Sequence, residues 1–128
     1  MILNLRMLLS ILVVYEIDFR GGRVMREKTY FKPNEVEGKT RLKLEQVINI
    51  AKVLIPQMSE KYELIPERIL YTTTFHITNE PVWYVDMITT LNKQLWPDAY
   101  ESLVISDFNG RAICIINDHG SPCEIKLL

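Results

Sequence analysis

The chain has 128 residues, of which 48% are hydrophobic and 24% charged, with fifteen basic side chains against sixteen acidic ones. That length suits one domain with one core over residues 1–128, and the composition is globular rather than disordered. A balanced charge leaves no basic excess to hold nucleic-acid phosphates. Two cysteines, Cys114 and Cys123, are too few for a disulfide framework or a four-ligand zinc site.

Near the N-terminus, Met7 to Val14 is apolar apart from Ser10 and follows Arg6, as the core of an export signal would. No small-residue cleavage site follows it in Tyr15-Glu16-Ile17-Asp18-Phe19, and a bilayer span takes about 20 apolar residues. The run therefore reads as folded structure in a cytoplasmic protein with no membrane span. A periplasmic or exported protein is the alternative if the segment is a signal.

Val13, Tyr15, Ile17 and Phe19 alternate with Val14, Glu16, Asp18 and Arg20, the period of a half-buried strand. Gly21-Gly22 supplies a tight turn, so Arg23 to Phe31 is expected to pair back, giving a hairpin over about 13–31. The basic residues Arg20, Arg23, Arg26 and Lys28 are diluted by Asp18 and Glu27 and read as a solvated face. Lys32 to Lys39, with Pro33, Asn34 and Gly38, reads as a loop.

A helix is expected over about 41–55. Leu44, Val47, Ile48, Ala51, Leu54 and Ile55 recur at helical spacing, opposite Glu45, Asn49 and Lys52. Thr40 is the predicted N-cap, and Pro56, which lacks an amide proton, ends or kinks the helix. Antiparallel strands follow over about 68–128. Ile69, Tyr71, Thr73, Phe75 and Ile77 share one face of the first, Asn79-Glu80-Pro81 breaks it, and Val82 to Thr90 forms the next. Ser102 to Ser106 and Arg111 to Ile116 flank the turn Asp107-Phe108-Asn109-Gly110. Cys123 to Leu128 closes the order. If Ile116 lies opposite Ser121, Cys114 falls opposite Cys123, with both thiols reduced in the cytosol. The fold class is α+β, one main helix packed on a curved antiparallel β-sheet.

Candidate chemistry is sparse. Asp118, His119 and Ser121 contain the residue types of a hydrolase triad, but neighbours in one turn point in different directions, and turns favour the same residues. Two histidines, His76 and His119, provide no metal spacing. Asp86, Asp98, Glu101, Asp107 and Asp118 are scattered, and Gly21-Gly22 lacks the lysine and helix of a phosphate loop. Tyr15, Tyr71, Trp83 and Tyr84 lie on strands and read as sheet or core residues. The sequence thus names no catalytic residue, cofactor or metal, and the chain reads as a non-enzyme. One segment points to a partner: Leu91 to Tyr100 joins two strands, exceeds what a hairpin needs, and carries Leu95, Trp96 and Tyr100 among polar residues. Trp96 either anchors a partner or folds back over an open edge of the core.

Leu44-Glu45-Gln46-Val47-Ile48-Asn49-Ile50-Ala51-Lys52 is similar to the opening helix of a family of small bacterial immunity proteins with the cone-like fold of nuclear transport factor. Ile55-Pro56 and Lys61-Tyr62 resemble the segments that follow it there, and Val82-Trp83-Tyr84-Val85 resembles the tryptophan-bearing strand. Leu103 to Ser106, Asp107-Phe108-Asn109-Gly110 and Ile113 to Gly120 fit the closing hairpin, which ends in His-Gly. The resemblance spans about residues 40–120. The chain departs from that pattern in lacking a glycine after the Pro56 segment, in the inserted Leu91 to Tyr100, and in its extra N-terminal hairpin and Cys123 tail. The resemblance implies a cystatin-like or nuclear-transport-factor-like cone that neutralises a cognate protein toxin without catalysis. It supplies no functional residues. The order of elements also resembles a PepSY-like domain, which implies an exported inhibitory or sensing module of the cell envelope. A small-molecule-binding or catalytic cone is the remaining reading, and it needs a deep pocket with convergent polar groups.

Overall fold

The computed structural model describes residues 14–18 and 24–128, the part before Thr29 through backbone pairing alone. Strands β1 (Val14–Asp18) and β2 (Val24–Lys28) pair antiparallel, as the alternation predicts. Asp18 lies opposite Val24, whereas a two-residue turn at Gly21-Gly22 would set it opposite Met25. The turn itself, Arg20, Arg23 and the apolar run from Met7 to Val13 lie outside the described residues. The expected second strand divides. After β2 the chain leaves the ribbon, and β3 (Tyr30–Phe31) joins a different sheet by pairing with Thr72 and Tyr71.

That larger sheet is antiparallel, with β3 at one edge followed in order by β4 (Tyr62–Thr72), β5 (Val82–Thr89), β6 (Glu101–Ser106), β7 (Ala112–Ile116) and β8 (Pro122–Cys123). Helix α1 (Leu44–Leu54) lies on one face. Val47, Ala51 and Ile55 from the helix side meet Ile69, Tyr71, Trp83, Val85, Met87, Leu103, Ile105 and Ile115 from the sheet. This is the predicted α+β arrangement. Alternation selects the inward set: Trp83, Val85 and Met87 face the helix, while Val82 and Tyr84 belong to a second apolar cluster around Phe75 and Val104. Register shifts between Leu64 and Ile69 and between Val104 and Ile105 are bulges, which bend a sheet over its helix.

Several boundaries differ from the sequence reading, each for a local reason. Thr40 does not cap α1: its hydroxyl donates to the Leu42 carbonyl, Lys43 is the N-cap, and the Gln46 side chain accepts from the Lys43 amide at 2.8 Å. At the other end Pro56 tightens the chain into a 3₁₀ turn, Ile55–Gln57. The stripe is buried at Val47 and Ala51, but Leu44 remains 37% exposed at the first turn. Val36, in the expected loop, is fully buried and pins that loop to the core.

The first long strand begins and ends earlier than its apolar alternation suggests. Beyond Thr72 the chain turns, Phe75 packs with Val82 and Val104, and Ile77 is exposed. A positive φ at Asn79 and a bond from the Asn79 amide to the Phe75 carbonyl close that turn. The last hairpin is slipped by one residue. Ile116 pairs with Pro122 and Ile115 with Cys123, so Cys114 is not opposite Cys123 and the two thiols are free. A one-residue slip exchanges the faces of successive side chains, which removes the cross-strand geometry a disulfide needs. Asn117 causes the slip: its side-chain oxygen accepts from the His119 and Ser121 amides, and its own amide donates to the Ser121 carbonyl. The tail then returns, with Leu127 bridging to Met58.

The Asp107–Gly110 turn docks on the start of α1. Gly110 has φ +76°, and a Cβ there would lie 3.3 Å from Ile50 Cδ1. Gly110→Ala is expected to lower stability by about 1–2 kcal/mol, from the left-handed backbone plus the tight contact. A thermal or urea melt checks this.

Candidate functional site

Three of the exposed large apolar side chains, Leu91, Leu95 and Trp96, lie on the connection from β5 to β6. This connection contains a short helix, α2 (Thr90–Leu95), started by Thr89, whose hydroxyl accepts from the Asn92 amide at 3.0 Å. Leu91 and Leu95, four apart, share its outer side and are 63% and 57% exposed. Trp96 follows at 66%, held at its backbone by a bond to the Asn92 carbonyl. Trp96 therefore does not cover the core; that part is played by Trp83, 1% exposed. Lys93 pairs with Glu63 at 2.8 Å and ties the helix to β4. Tyr100 is differently engaged. It is half-buried, with the Arg68 guanidinium 4.2 Å from its ring centre, and Arg68 in turn bonds Asp86, which accepts from Ser102. Of the three expected contact residues, Leu95 and Trp96 present free apolar surface and Tyr100 supports the sheet behind them. Leu91 completes the patch and was legible as the partner of Leu95 at helical spacing.

Polar groups surround this patch. One adjoining hollow is lined by Asn92, Trp96, Asp98, Ala99 and Asp118, and another by Glu60, Lys61, Thr89, Thr90, Leu91, Asn92 and Glu101. Burial raises the Glu101 carboxyl above its ordinary range; a Tyr62 hydrogen bond opposes this, and the charges of Glu60 and Asp118 add to it. The Tyr62 hydroxyl is likewise pushed up by burial and by Glu101. Because the folded-state pKa of Glu101 is raised, its ionisation disfavours the folded form. The stability it withholds is fully present below the unfolded carboxyl pKa and lost as pH rises through the folded one. Glu101→Gln is thus expected to melt higher than the native chain at pH 7, the gap closing as pH falls below the carboxyl range. Melts across that range test it; a gap independent of pH would refute the assignment.

The remaining candidates do not assemble a reaction centre. His119 Nε2 lies 3.9 Å from Asp118, but the histidine side chain is 85% exposed, and Ser121 is tied through its amide to Asn117 in the same turn. His76 rests its ring against Phe75. Asp86 is taken by Arg68 and Ser102, and Asp107 is buried in the latch on α1. Tyr71 and Trp83 meet edge-on in the core, 5.0 Å between ring centres. Among the described residues, no group of His, Cys, Asp and Glu could hold a metal ion, and no helix is long and apolar enough to cross a membrane. The space between helix and sheet is filled by core side chains. An apolar groove of about 650 Å³ instead opens at the rim, lined mainly by Ile50, Val53, Leu54, Ala112, Ile125 and Leu127. Its polar members, Asn49, Gln57 and Arg111, offer no acid–base pair. Comparison with family models, curated proteins and solved structures returns no match.

Proposed function

We propose that the chain is a non-enzymatic partner-binding protein whose α2 face docks a cognate protein toxin and neutralises it, an immunity protein in the sense of the resemblance above. The observation that carries this reading is the exposure of Leu91, Leu95 and Trp96 along α2 and the residue that ends it. An exposed tryptophan beside leucines, rimmed by polar groups, has the composition of an interface core, and aromatic anchors supply much of an interface's energy. This segment sits on rigid elements. Thr89 caps it, the Lys93–Glu63 pair braces it, and the Lys61 carbonyl accepts from the Thr90 amide. Such bracing reduces the ordering entropy lost on binding.

A cytoplasmic site of action accords with two free thiols in a chain whose hairpin register does not align them, since oxidising compartments favour paired cysteines. Co-expression with the products of neighbouring open reading frames tests the function. One of them should arrest growth alone and be tolerated with this chain, and Trp96→Ala should abolish the tolerance at unchanged protein level. Full protection by Trp96→Ala would remove α2 from the mechanism. Recovery of the chain from the periplasm with a processed N-terminus would favour the exported inhibitory module instead.

A further inference from the structure

The charges around the α2 face define the sign of what it meets, an inference that rests on α2 being the docking face. The hollows flanking Leu91 and Trp96 are lined by the carboxyl groups of Glu60, Asp98, Glu101 and Asp118, against the single amine of Lys61. Lys93 is already neutralised by Glu63. His119, 3.9 Å from Asp118, adds a positive charge only when protonated. Asp98 forms no ion pair among the described residues. This local excess does not reflect the chain as a whole, whose formal net charge is −1.

We propose that the partner presents a lysine- and arginine-rich surface surrounding an apolar hollow that receives Trp96. Seating Trp96 draws the neighbouring carboxyl groups out of water, and an opposing cationic rim returns the lost solvation as charge-assisted hydrogen bonds. An anionic lipid headgroup or a nucleic acid would meet this rim with like charge. So would a second copy of the chain, because a two-fold interface sets the same acidic patch against itself. A neutral apolar surface would leave the carboxyl groups without partners. The rim also has a kinetic role: fields of this kind raise the rate of encounter and make it sensitive to salt.

The sign of the local field is measurable in the free chain. Trp96 is 66% exposed and Trp83 is 1% exposed, so dissolved quenchers reach Trp96. Relative to free N-acetyltryptophanamide at equal ionic strength, caesium quenching of the exposed fluorescence should be enhanced and iodide quenching suppressed, and the reverse pattern would overturn the proposal. The partner's chemistry is tested by placing a photo-crosslinking residue at Leu95 of the full chain in its native cells, with the same residue at Val53 of α1, which is slightly more exposed, as the reference surface. The expected result is a protein captured from Leu95 and not from Val53, its crosslinked face rich in Lys and Arg. Its Kd for the purified chain should rise about tenfold from roughly 0.05 to 0.3 M salt, and by about tenfold again for Asp98→Lys with Asp118→Lys at unchanged melting temperature. Capture from Leu95 with affinity indifferent to salt and to the charge reversals would overturn the cationic partner and leave the docking face standing. Capture no better than from Val53 would overturn both.

Discussion

Replacing Asp107 with alanine is expected to remove about 3–5 kcal/mol of stability, the largest single-residue loss foreseen for the fold. Asp107 is 2% exposed, and its side chain accepts from the Arg41 amide at 2.9 Å, the Leu42 amide at 2.9 Å and the Trp83 indole at 3.0 Å. It joins three segments: the β6–β7 turn, the approach to α1, and the central strand β5. Truncation strands three donors at once, and each buried unsatisfied donor costs about 1–3 kcal/mol, less where water can reach the half-buried amides. Asp107→Asn keeps one acceptor oxygen but turns an amide group toward a donor, so a loss of about 1–3 kcal/mol is expected. Trp83→Phe should lose less than Asp107→Ala, because Oδ1 retains the Leu42 amide. Urea unfolding ranks the three. Hydrogen exchange adds a local signature, faster exchange of the Arg41 and Leu42 amides in Asp107→Ala. A loss below about 1 kcal/mol, or unchanged exchange there, would contradict the latch.

Trp96→Ala should do the opposite, leaving the fold alone and weakening the partner. With the residue 66% exposed and its backbone held by the Asn92 carbonyl, truncation is expected to change stability by no more than about 0.5 kcal/mol. Binding to the protein crosslinked at Leu95 should weaken by ~2 kcal/mol or more, about thirtyfold in Kd, the scale of an aromatic anchor. Leu95→Ala should follow with a smaller loss. Thermal melts paired with calorimetric titration separate the two quantities. A stability loss of about 3–5 kcal/mol, the range for truncating a buried aromatic, with unchanged affinity would return Trp96 to the core.

These two tryptophans mark the boundary between what sequence and tertiary structure each decide here. Periodicity and turn chemistry placed the elements that matter most: the apolar stripe through Val47 and Ala51, the strand Val82–Thr89, and the turn ending in Asn109-Gly110 all occur where the pattern sets them. Those signals are legible because burial on one face of a helix or strand constrains every third, fourth or second residue. The insertion between β5 and β6 was legible too, as a connection too long and too apolar for a turn. What the pattern left open is whether Trp96 joins Trp83 in the core or stays outside it. Trp83 alternates into the core because β5 lies between β4 and β6, whereas Trp96 follows a helix too short to carry it back to the sheet. Nor could it show that Asp107, read as a turn residue, is the buried anchor of Arg41 and Leu42, sixty-six and sixty-five positions away. Register followed the same rule. Asn117 bonds to the His119 and Ser121 amides, moves the final pairing by one residue and takes Cys123 from the place opposite Cys114. Local patterning determines which residues seek burial; the partner of a buried polar group, and the register of a short edge strand, are decided only when distant segments meet, because one hydrogen bond there outweighs a local preference of a few tenths of a kcal/mol.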